Sequence, residues 1–406
     1  MSVSTMKFQK RNSILLASGR ICSSLGDSLY ELAIIWYIFQ LTNSTIYTGI
    51  TLTLIALPQC LNFLFGPIIN RFNTKNLLSY TQLLQCILMS SIPISIILGH
   101  ENIYFILGVV FFLALLENFQ GIAEMTIVPS IISKDFISKY NSIVNTIQQS
   151  ISLTSSLIFS FIILYYTVSD IYIFNAITFL LAFIFFNSII YNKHSQSKEF
   201  EDQSFKSSLI EGWRVFKNSV LLSITIPLSL ANLILSAVNS VLPKYAEELG
   251  KSNYYAWLMF AISIGMLIGS ILSVKFMNIS IGNLIPYSLL FIFVFWIISV
   301  NSNNLLVSLI FLSISVIPIG IMNISILTYT QITTEETMMT RVLSISDSLL
   351  FIPIPLGALL GGLLGDLVNA RTVLLIASLA FLVMFLFNIF NSKLKSIKSI
   401  NYYIKS

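Results

Sequence analysis

Twelve apolar runs, each long enough to cross a lipid bilayer, follow one another along this chain. A membrane-spanning helix needs about 20 apolar residues, and its backbone must satisfy its own polar groups, which favours a helix. The runs cover residues 13–40, 46–69, 76–98, 103–127, 141–166, 171–191, 219–243, 255–276, 284–300, 304–328, 342–366 and 371–391. The expected fold class is an all-α membrane protein with twelve transmembrane helices.

Charged residues are scarce, at 10% of 406, whereas soluble domains carry about 25%. A soluble enzyme or a nucleic-acid-binding protein of this length would need a far more charged surface. The three cysteines, Cys22, Cys60 and Cys86, lie inside apolar runs and indicate small buried side chains rather than disulfides or a metal site. The sequence therefore predicts neither an enzyme nor a bound cofactor.

The positions of the basic residues indicate which side of the membrane each loop faces. If the N-terminus is cytoplasmic, 18 of the 22 Lys and Arg residues fall in cytoplasmic segments. The external segments hold only Lys244, Lys251 and Arg371, and Arg20 lies within the first span. Because Lys and Arg accumulate on the cytoplasmic side, both termini are expected to be cytoplasmic.

The chain also divides into two similar halves at its longest polar stretch, residues 192–218. Residues 11–16 (RNSILL) enter span one, and residues 217–222 (KNSVLL) enter span seven, 206 positions later. At the same offset Glu117 corresponds to Asn323. Two parallel six-helix repeats are typical of secondary transporters. The predicted domains are an N-terminal six-helix bundle (1–192), a cytoplasmic linker (193–218) and a C-terminal six-helix bundle with a short basic tail (219–406).

Span one carries a polar face made of Arg20, Ser24, Asp27 and Glu31, which share one side of a helix. Charges within the membrane are costly unless they face a water-filled cavity or a partner, so they are candidates for function. We expect Asp27 and Glu31, together with Glu117 in span four, to carry a coupling proton. We also expect Arg20 to pair with Glu117. The alternative is an ion pair that only holds helices together.

Neutral polar residues in three other spans are expected to line a substrate cavity. They are Gln148 and Ser152 in span five, Asn232 and Asn239 in span seven, and Asn323 in span ten; Arg20 and Ser24 would join them. The alternative is interhelical hydrogen bonding. The proton occupancy of a carboxyl group in such a cavity depends on what else is bound there, which would suffice to couple proton and substrate.

Three further features have structural interpretations. The glycine-rich run 356–365 predicts close helix packing. Glu124 is expected near the interface, solvated or paired with a loop base. Asp347 in span eleven is either half of a gating pair or a helix-terminal acid.

The loop between spans two and three resembles the signature loop of the major facilitator superfamily. Gly66, Arg71 and Lys75 match, whereas Asn70 replaces the usual Asp and Asn73 the usual Gly. Asn is the residue that best replaces Gly at positive φ. The resemblance implies that Gly66, Asn70, Arg71 and Lys75 help to latch the two halves on the cytoplasmic side. Loss of the Asp charge would weaken that latch.

Other stretches resemble macrolide-efflux-type exporters, a branch that includes siderophore exporters of the enterobactin type. The similar stretches are 19–27, 127–129, 209–213, 341–342 and 355–366. This resemblance implies proton-coupled efflux of a drug, such as a macrolide, or of a secreted metabolite. The Gly- and Pro-rich antiporter motif of span five is absent from residues 154–160, so coupling would depend on the intramembrane acids. The alternatives are an importer of a nutrient or peptide with the same fold, and a non-transporting membrane receptor.

These observations place the protein in the cell membrane, as a multi-pass protein of a bacterium. The expected partners are a small-molecule substrate, protons and the lipid bilayer, with no nucleic acid and no obligate protein partner. The proton gradient would supply the energy.

Overall fold

The computed structural model describes the chain from Val3 to Lys405, with four continuous gaps at residues 61–72, 132–139, 191–212 and 335–344. It also leaves out scattered positions within 141–164 and 215–219, and the single positions 252 and 347. The described segments are helical, with one isolated bridge between Ser280 and Ser399. The helices are α1 (Val3–Thr42), α2 (Thr45–Cys60), α3 (Thr74–Ile97), α4 (Ile103–Ile131), α5 (Val168–Asn187), α6 (Leu221–Glu248), α7 (Tyr254–Phe276), α8 (Ile281–Asn301), α9 (Leu305–Thr333), α10 (Pro353–Leu367), α11 (Ala370–Ile389), α12 (Ser392–Lys395) and α13 (Ile400–Lys405).

Nine helices among the described residues are long and apolar enough to cross a membrane. They are α3 to α11, with α10 extended back to Ser348, and α2 is a shorter apolar helix. The remainder of the predicted second span, 61–69, lies outside the described residues. The described positions from Tyr140 to Ile163, in the predicted fifth span, are helical. The predicted all-α membrane fold is confirmed.

The chain forms two compact units. One contains Met1–Ile38 and Leu54–Glu201, and the other contains Phe39–Thr53 and Asp202–Ser406. The predicted linker, 193–218, lies mostly outside the described residues. The segment Phe39–Thr53, which belongs by sequence to the first half, is thus clustered with the second half.

Small residues bring the helices of the first unit together. A Cβ atom at Gly19 of α1 would overlap the Phe186 ring of α5, and one at Gly26 would overlap Thr178. Helix α3 packs on both α4 and α5. Around these contacts, a buried cluster includes Leu16 and Ala123. The polar face of α1 is therefore held at a fixed height relative to α4 and α5.

Glycines have the same role in the second unit. Helix α10 approaches α6 at Gly357 and Gly361, where a Cβ would overlap the backbone of Leu233 and Ala237. Its Gly362 lies against the first turn of α2. The close packing predicted for the glycine-rich run is confirmed. The C-terminal segment docks on α8 through backbone hydrogen bonds, one of them from Gly282 N–H to the Ile397 carbonyl at 3.4 Å.

We predict that Gly361→Ala destabilises the protein. The new methyl group would overlap the backbone of Ala237, and overpacking of this kind costs about 1–3 kcal/mol. Gly108→Ala on α4 is the matched control, because no heavy atom lies within 4 Å of its new Cβ. Thermal unfolding of both variants in detergent measures the difference. Equal melting temperatures for the two variants would contradict the packing described for α6 and α10.

Candidate functional site

A cavity of about 180 Å³ lies within the first unit, along the polar face of α1. Helical geometry aligns this face, since residues four and seven positions apart lie on one side. Helix α4 contributes a third acid, Glu117, to the lining. The lining residues are Arg20, Ser24, Asp27, Ser28, Glu31, Glu117 and Gln148. All three acids predicted to couple protons therefore share one cavity, which we call the acidic cavity.

Arg20 forms its ion pair with Glu124, not with Glu117 as predicted. The Arg20 Nη1 atom lies 3.1 Å from Glu124 Oε2, and Glu124 is buried, with 8% of its surface exposed. The prediction that Glu124 is solvated or paired with a loop base is also wrong. Helical side chains lean toward the N-terminus of their own helix, so in the predicted antiparallel topology Arg20 leans toward the cytoplasm and Glu124 leans outward to meet it.

Gln148 and Ser24 complete the surroundings of Arg20. With its amide oxygen turned toward the guanidinium, Gln148 accepts a hydrogen bond from Arg20 Nη2 at 2.7 Å. The Ser24 Oγ atom lies 3.3 Å from the same amide. Helices α1 and α4 and the predicted fifth span thus all contribute to the charge network around Arg20.

The pairing of Arg20 decides the charge balance of the acidic cavity. One base, Arg20, faces four acids: Asp27, Glu31, Glu117 and Glu124. Within the described part of the chain, the ion pair to Glu124 is the only one present, so the other three carboxyl groups have no basic partner within 4.0 Å. Like charges in a confined cavity repel one another, and binding of a proton or a cation relieves that repulsion.

A buried glutamine network supports Asp27 from behind. Ser23 donates a hydrogen bond to Asp27 Oδ2 at 3.1 Å, and Gln120 Nε2 donates to Ser23 Oγ at 3.1 Å. Gln82 donates to Ser23 at 3.2 Å and to Gln85 at 2.8 Å. Ser23 and the three glutamines are all buried, and none of the four is more than 3% exposed. These residues were not predicted from the sequence, although the spacing of Gln82 and Gln85 places two amides on one face of an apolar helix.

Toward the predicted external end of α1, a cluster of tyrosines follows the acidic cavity. Tyr172 of α5 has its ring centroid 6.5 Å from that of Tyr30 and 6.1 Å from that of Tyr37. All three rings are buried. The cluster fills the space between α1 and α5 beyond Glu31, so the described part of the first unit is tightly packed on that side of the cavity.

Two polar residues of α6, Ser229 and the predicted Asn232, contact backbone carbonyls. Pro353 has no N–H to donate to Leu349, and Ser229 Oγ donates to that carbonyl instead, at 2.8 Å. Asn232 Nδ2 donates to the Leu350 carbonyl at 3.1 Å. The nitrogen of Asn232 therefore takes part in interhelical hydrogen bonding, which was the alternative considered for these residues.

Other predicted residues are not part of the acidic cavity. Asn239 on α6 and Asn323 on α9 have exposed side chains. The predicted site residues Ser152, Gly66, Asn70, Arg71 and Asp347 lie outside the described residues.

The loop residue Asn73 has a different role from the one its position suggested. It caps α3 in an extended conformation, with φ −73° and ψ 113°, so the expected use of positive φ is wrong. Its side-chain oxygen accepts from the N–H groups of Lys75 at 3.1 Å and Asn76 at 3.3 Å. Asn is among the best N-cap residues, which explains its presence where the helix begins. Lys75 lies in the first turn, with its side chain half-buried.

A second polar site, which was not predicted from the sequence, lies in the second unit. The Asp366 carboxylate accepts hydrogen bonds from the N–H groups of Thr45 at 2.7 Å and Ile46 at 3.3 Å. It also accepts from the hydroxyls of Ser44 and Thr45. An acid from α10 thus caps the N-terminus of α2, where the helix dipole favours negative charge. In the predicted topology these residues lie on the external side, and we call Ser44, Thr45, Ile46 and Asp366 the external seam.

Comparisons with known proteins agree with this architecture. The sequence profile of the Major Facilitator Superfamily matches residues 16–353. No curated protein matches the chain.

Several solved structures share the fold. The nucleoside transporter NupG is 12% identical, with a TM-score of 0.70 over 93% of this chain and 98% of its own. A bacterial homologue of the human lysosomal transporter Spinster is 12% identical, with a TM-score of 0.66 over 100% of this chain and 98% of its own. A bacterial homologue of the iron transporter ferroportin is 14% identical, with a TM-score of 0.63 over 96% of this chain and 100% of its own. At these identities the likeness concerns the fold alone.

We predict that Arg20 is coupled energetically to Glu124 more strongly than to Glu117. Glu124→Gln or Arg20→Gln alone leaves one charge of a buried pair without its partner, which costs about 3–5 kcal/mol, whereas the double variant leaves neither charge. Thermal unfolding of the single and double variants gives the coupling energy. The same cycle with Glu117→Gln is the control, and a larger coupling there would contradict the observed pairing.

Proposed function

We propose that this chain, which belongs to the major facilitator superfamily, uses the proton gradient to export an amphiphilic small molecule across a bacterial cell membrane. Membership makes it a multi-pass secondary transporter rather than an enzyme. What we propose beyond membership is the proton coupling, the direction of transport and the class of substrate. The observation that carries it is the acidic cavity, in which three carboxyl groups lack a basic partner among the described residues.

The acids would carry the coupling proton. Asp27, Glu31 and Glu117 line one cavity, and Arg20 is already engaged by Glu124 and Gln148. A proton on one acid lowers the repulsion among all three, and a bound cation has the same effect. A proton and a cationic substrate would therefore both be attracted by the same excess of negative charge. Binding of one would favour release of the other.

The acid surplus also bears on the substrate. An anionic substrate would add to the repulsion, whereas an amphiphile with a cationic group would relieve it. This charge argument supports a cationic drug-like compound, and the resemblance to macrolide-efflux-type exporters supports export. Neutral polar groups of Ser24 and Ser28 on the cavity wall would supply hydrogen bonds to such a compound.

The external seam would close the transporter on its outer side. Helix α2 belongs by sequence to the first six spans, yet Thr45–Thr53 is packed with α6 and α10. Thr48 donates a hydrogen bond to the Ser240 carbonyl, and Thr53 donates to the Pro355 carbonyl at 3.1 Å. In an alternating-access cycle, these contacts would break when the outer side opens. On the opposite side, Gly66, Asn70, Arg71, Lys75 and Asp347 remain the proposed cytoplasmic gate.

We predict that Asp27→Asn and Glu31→Gln each abolish transport driven by a pH gradient while substrate counterflow continues. The amides keep the shape of the side chain but cannot release a proton. Flux in proteoliposomes, measured with a substrate found by screening a strain that lacks its own efflux pumps, separates the two activities. Glu101→Gln, an exposed acid outside the cavity, is the control.

Three results would contradict this part of the proposal. Full gradient-driven flux in both variants would remove Asp27 and Glu31 from the coupling mechanism. Uptake rather than efflux, measured in right-side-out vesicles with the natural gradient, would favour the importer alternative. A protein that binds the substrate without moving it in any orientation would instead be a receptor.

We predict that Asp366→Asn opens the external seam more often. The amide has one acceptor oxygen and no charge, so it caps α2 less well. In a variant without native cysteines, Thr48→Cys reports the opening, because Thr48 is fully buried. Labelling by an impermeant maleimide added outside should be several-fold faster with Asp366→Asn. Asp170→Asn is the control, since Asp170 caps its own helix, α5, and equal acceleration there would contradict the gate.

A further inference from the structure

A second cavity, of about 540 Å³, lies in the second unit between the start of α6 and the end of α11. One wall carries Ile226 and Leu230, which are 52% and 47% exposed, and the other carries Phe387, which is 76% exposed. Lys393 lies at the end of the cavity where the chain leaves α11. We call this cavity the α6–α11 groove.

The α6–α11 groove lies at the cytoplasmic surface of the membrane in the predicted topology. Helix α6 begins at Leu221, after the cytoplasmic linker, and α11 ends at Ile389, before the basic tail. Trp213, 44% exposed, stacks on Phe216 just before α6. Exposed tryptophans of this kind collect at the membrane interface. The groove therefore has one apolar end at the depth of acyl chains and one polar end at the depth of lipid headgroups.

Lys393 lines the polar end of the groove, and three further bases lie close to it along the chain. Lys393 and Lys395 are exposed on α12, and Arg214 and Lys217 are exposed just before α6. Within the part of the chain that the structure describes, none of these four bases forms an ion pair. The amide nitrogen of Asn388 already donates to the Met384 carbonyl at 2.8 Å. The Lys393 ammonium is a charged donor on the groove lining.

We propose that the α6–α11 groove binds one anionic phospholipid of the cytoplasmic leaflet. The Lys393 ammonium would contact the lipid phosphate, and an acyl chain would lie along Ile226, Leu230 and Phe387. Basic pockets between transmembrane helices on the cytoplasmic side suit anionic headgroups. A zwitterionic lipid fits the apolar wall equally well but gains less from the positive end, which makes the site selective for negative charge.

The test uses the full chain in nanodiscs that contain equal amounts of phosphatidylglycerol and phosphatidylcholine. Native mass spectrometry after release should show one phosphatidylglycerol retained in preference to phosphatidylcholine. Lys393→Gln should weaken that retention about fivefold, the effect of about one interfacial base. Lys251→Gln is the matched control, because Lys251 is an exposed lysine on the predicted external side.

A second variant tests the apolar wall. Ile226→Trp fills the groove from an exposed position, so the fold should tolerate it, and it should reduce retention of phosphatidylglycerol. Equal retention of the two lipids by the wild-type protein would overturn the proposal. So would unchanged retention in Lys393→Gln, or an equal loss in Lys251→Gln, which would indicate attraction by net charge alone.

Discussion

The ion pair between Arg20 and Glu124 is the interaction on which the rest of the site depends. A charge in the membrane must be neutralised or face water, and the pair neutralises the only base that the first span contains. Because Glu124 takes that base, Asp27, Glu31 and Glu117 have no basic partner among the described residues. The same pair that joins α1 to α4 thereby leaves the acidic cavity with a surplus of carboxyl groups, which in the proposed function a proton or a cationic ligand would offset.

The helices of the second unit are held by contacts that allow little adjustment. Glycines at the crossing of α6 and α10 bring backbones together, and Gly362 does the same for α10 and α2. Contacts of this kind favour discrete arrangements over gradual bending, because packed interiors do not deform continuously. The external seam adds a charge-dependent contact to this packing. A transporter built this way would switch between states by breaking a few polar contacts at once.

The sequence was sufficient for the described helices and for the polar face of α1, because hydropathy and helical spacing are local properties. Positions 20, 24, 27 and 31 share one side of any α-helix. The partner of Arg20 was predicted wrongly because depth alone does not determine which way a long side chain leans. Asp366 and the glutamine network depend on neighbours from distant segments, and no local pattern specifies those neighbours. The role of Asn73 depended on whether a helix began immediately after it.

Proton release on binding is the most direct measure of the central claim, that Asp27, Glu31 and Glu117 share a proton which the substrate displaces. Tetraphenylphosphonium is a suitable probe, since this permanently charged amphiphile cannot itself exchange a proton. A pH indicator in weakly buffered detergent solution would report release as the purified protein binds it. The account predicts release by the wild-type protein and none by the variant with Asp27→Asn, Glu31→Gln and Glu117→Gln. Saturable binding without release by the wild-type protein, or equal release by the variant, would contradict it.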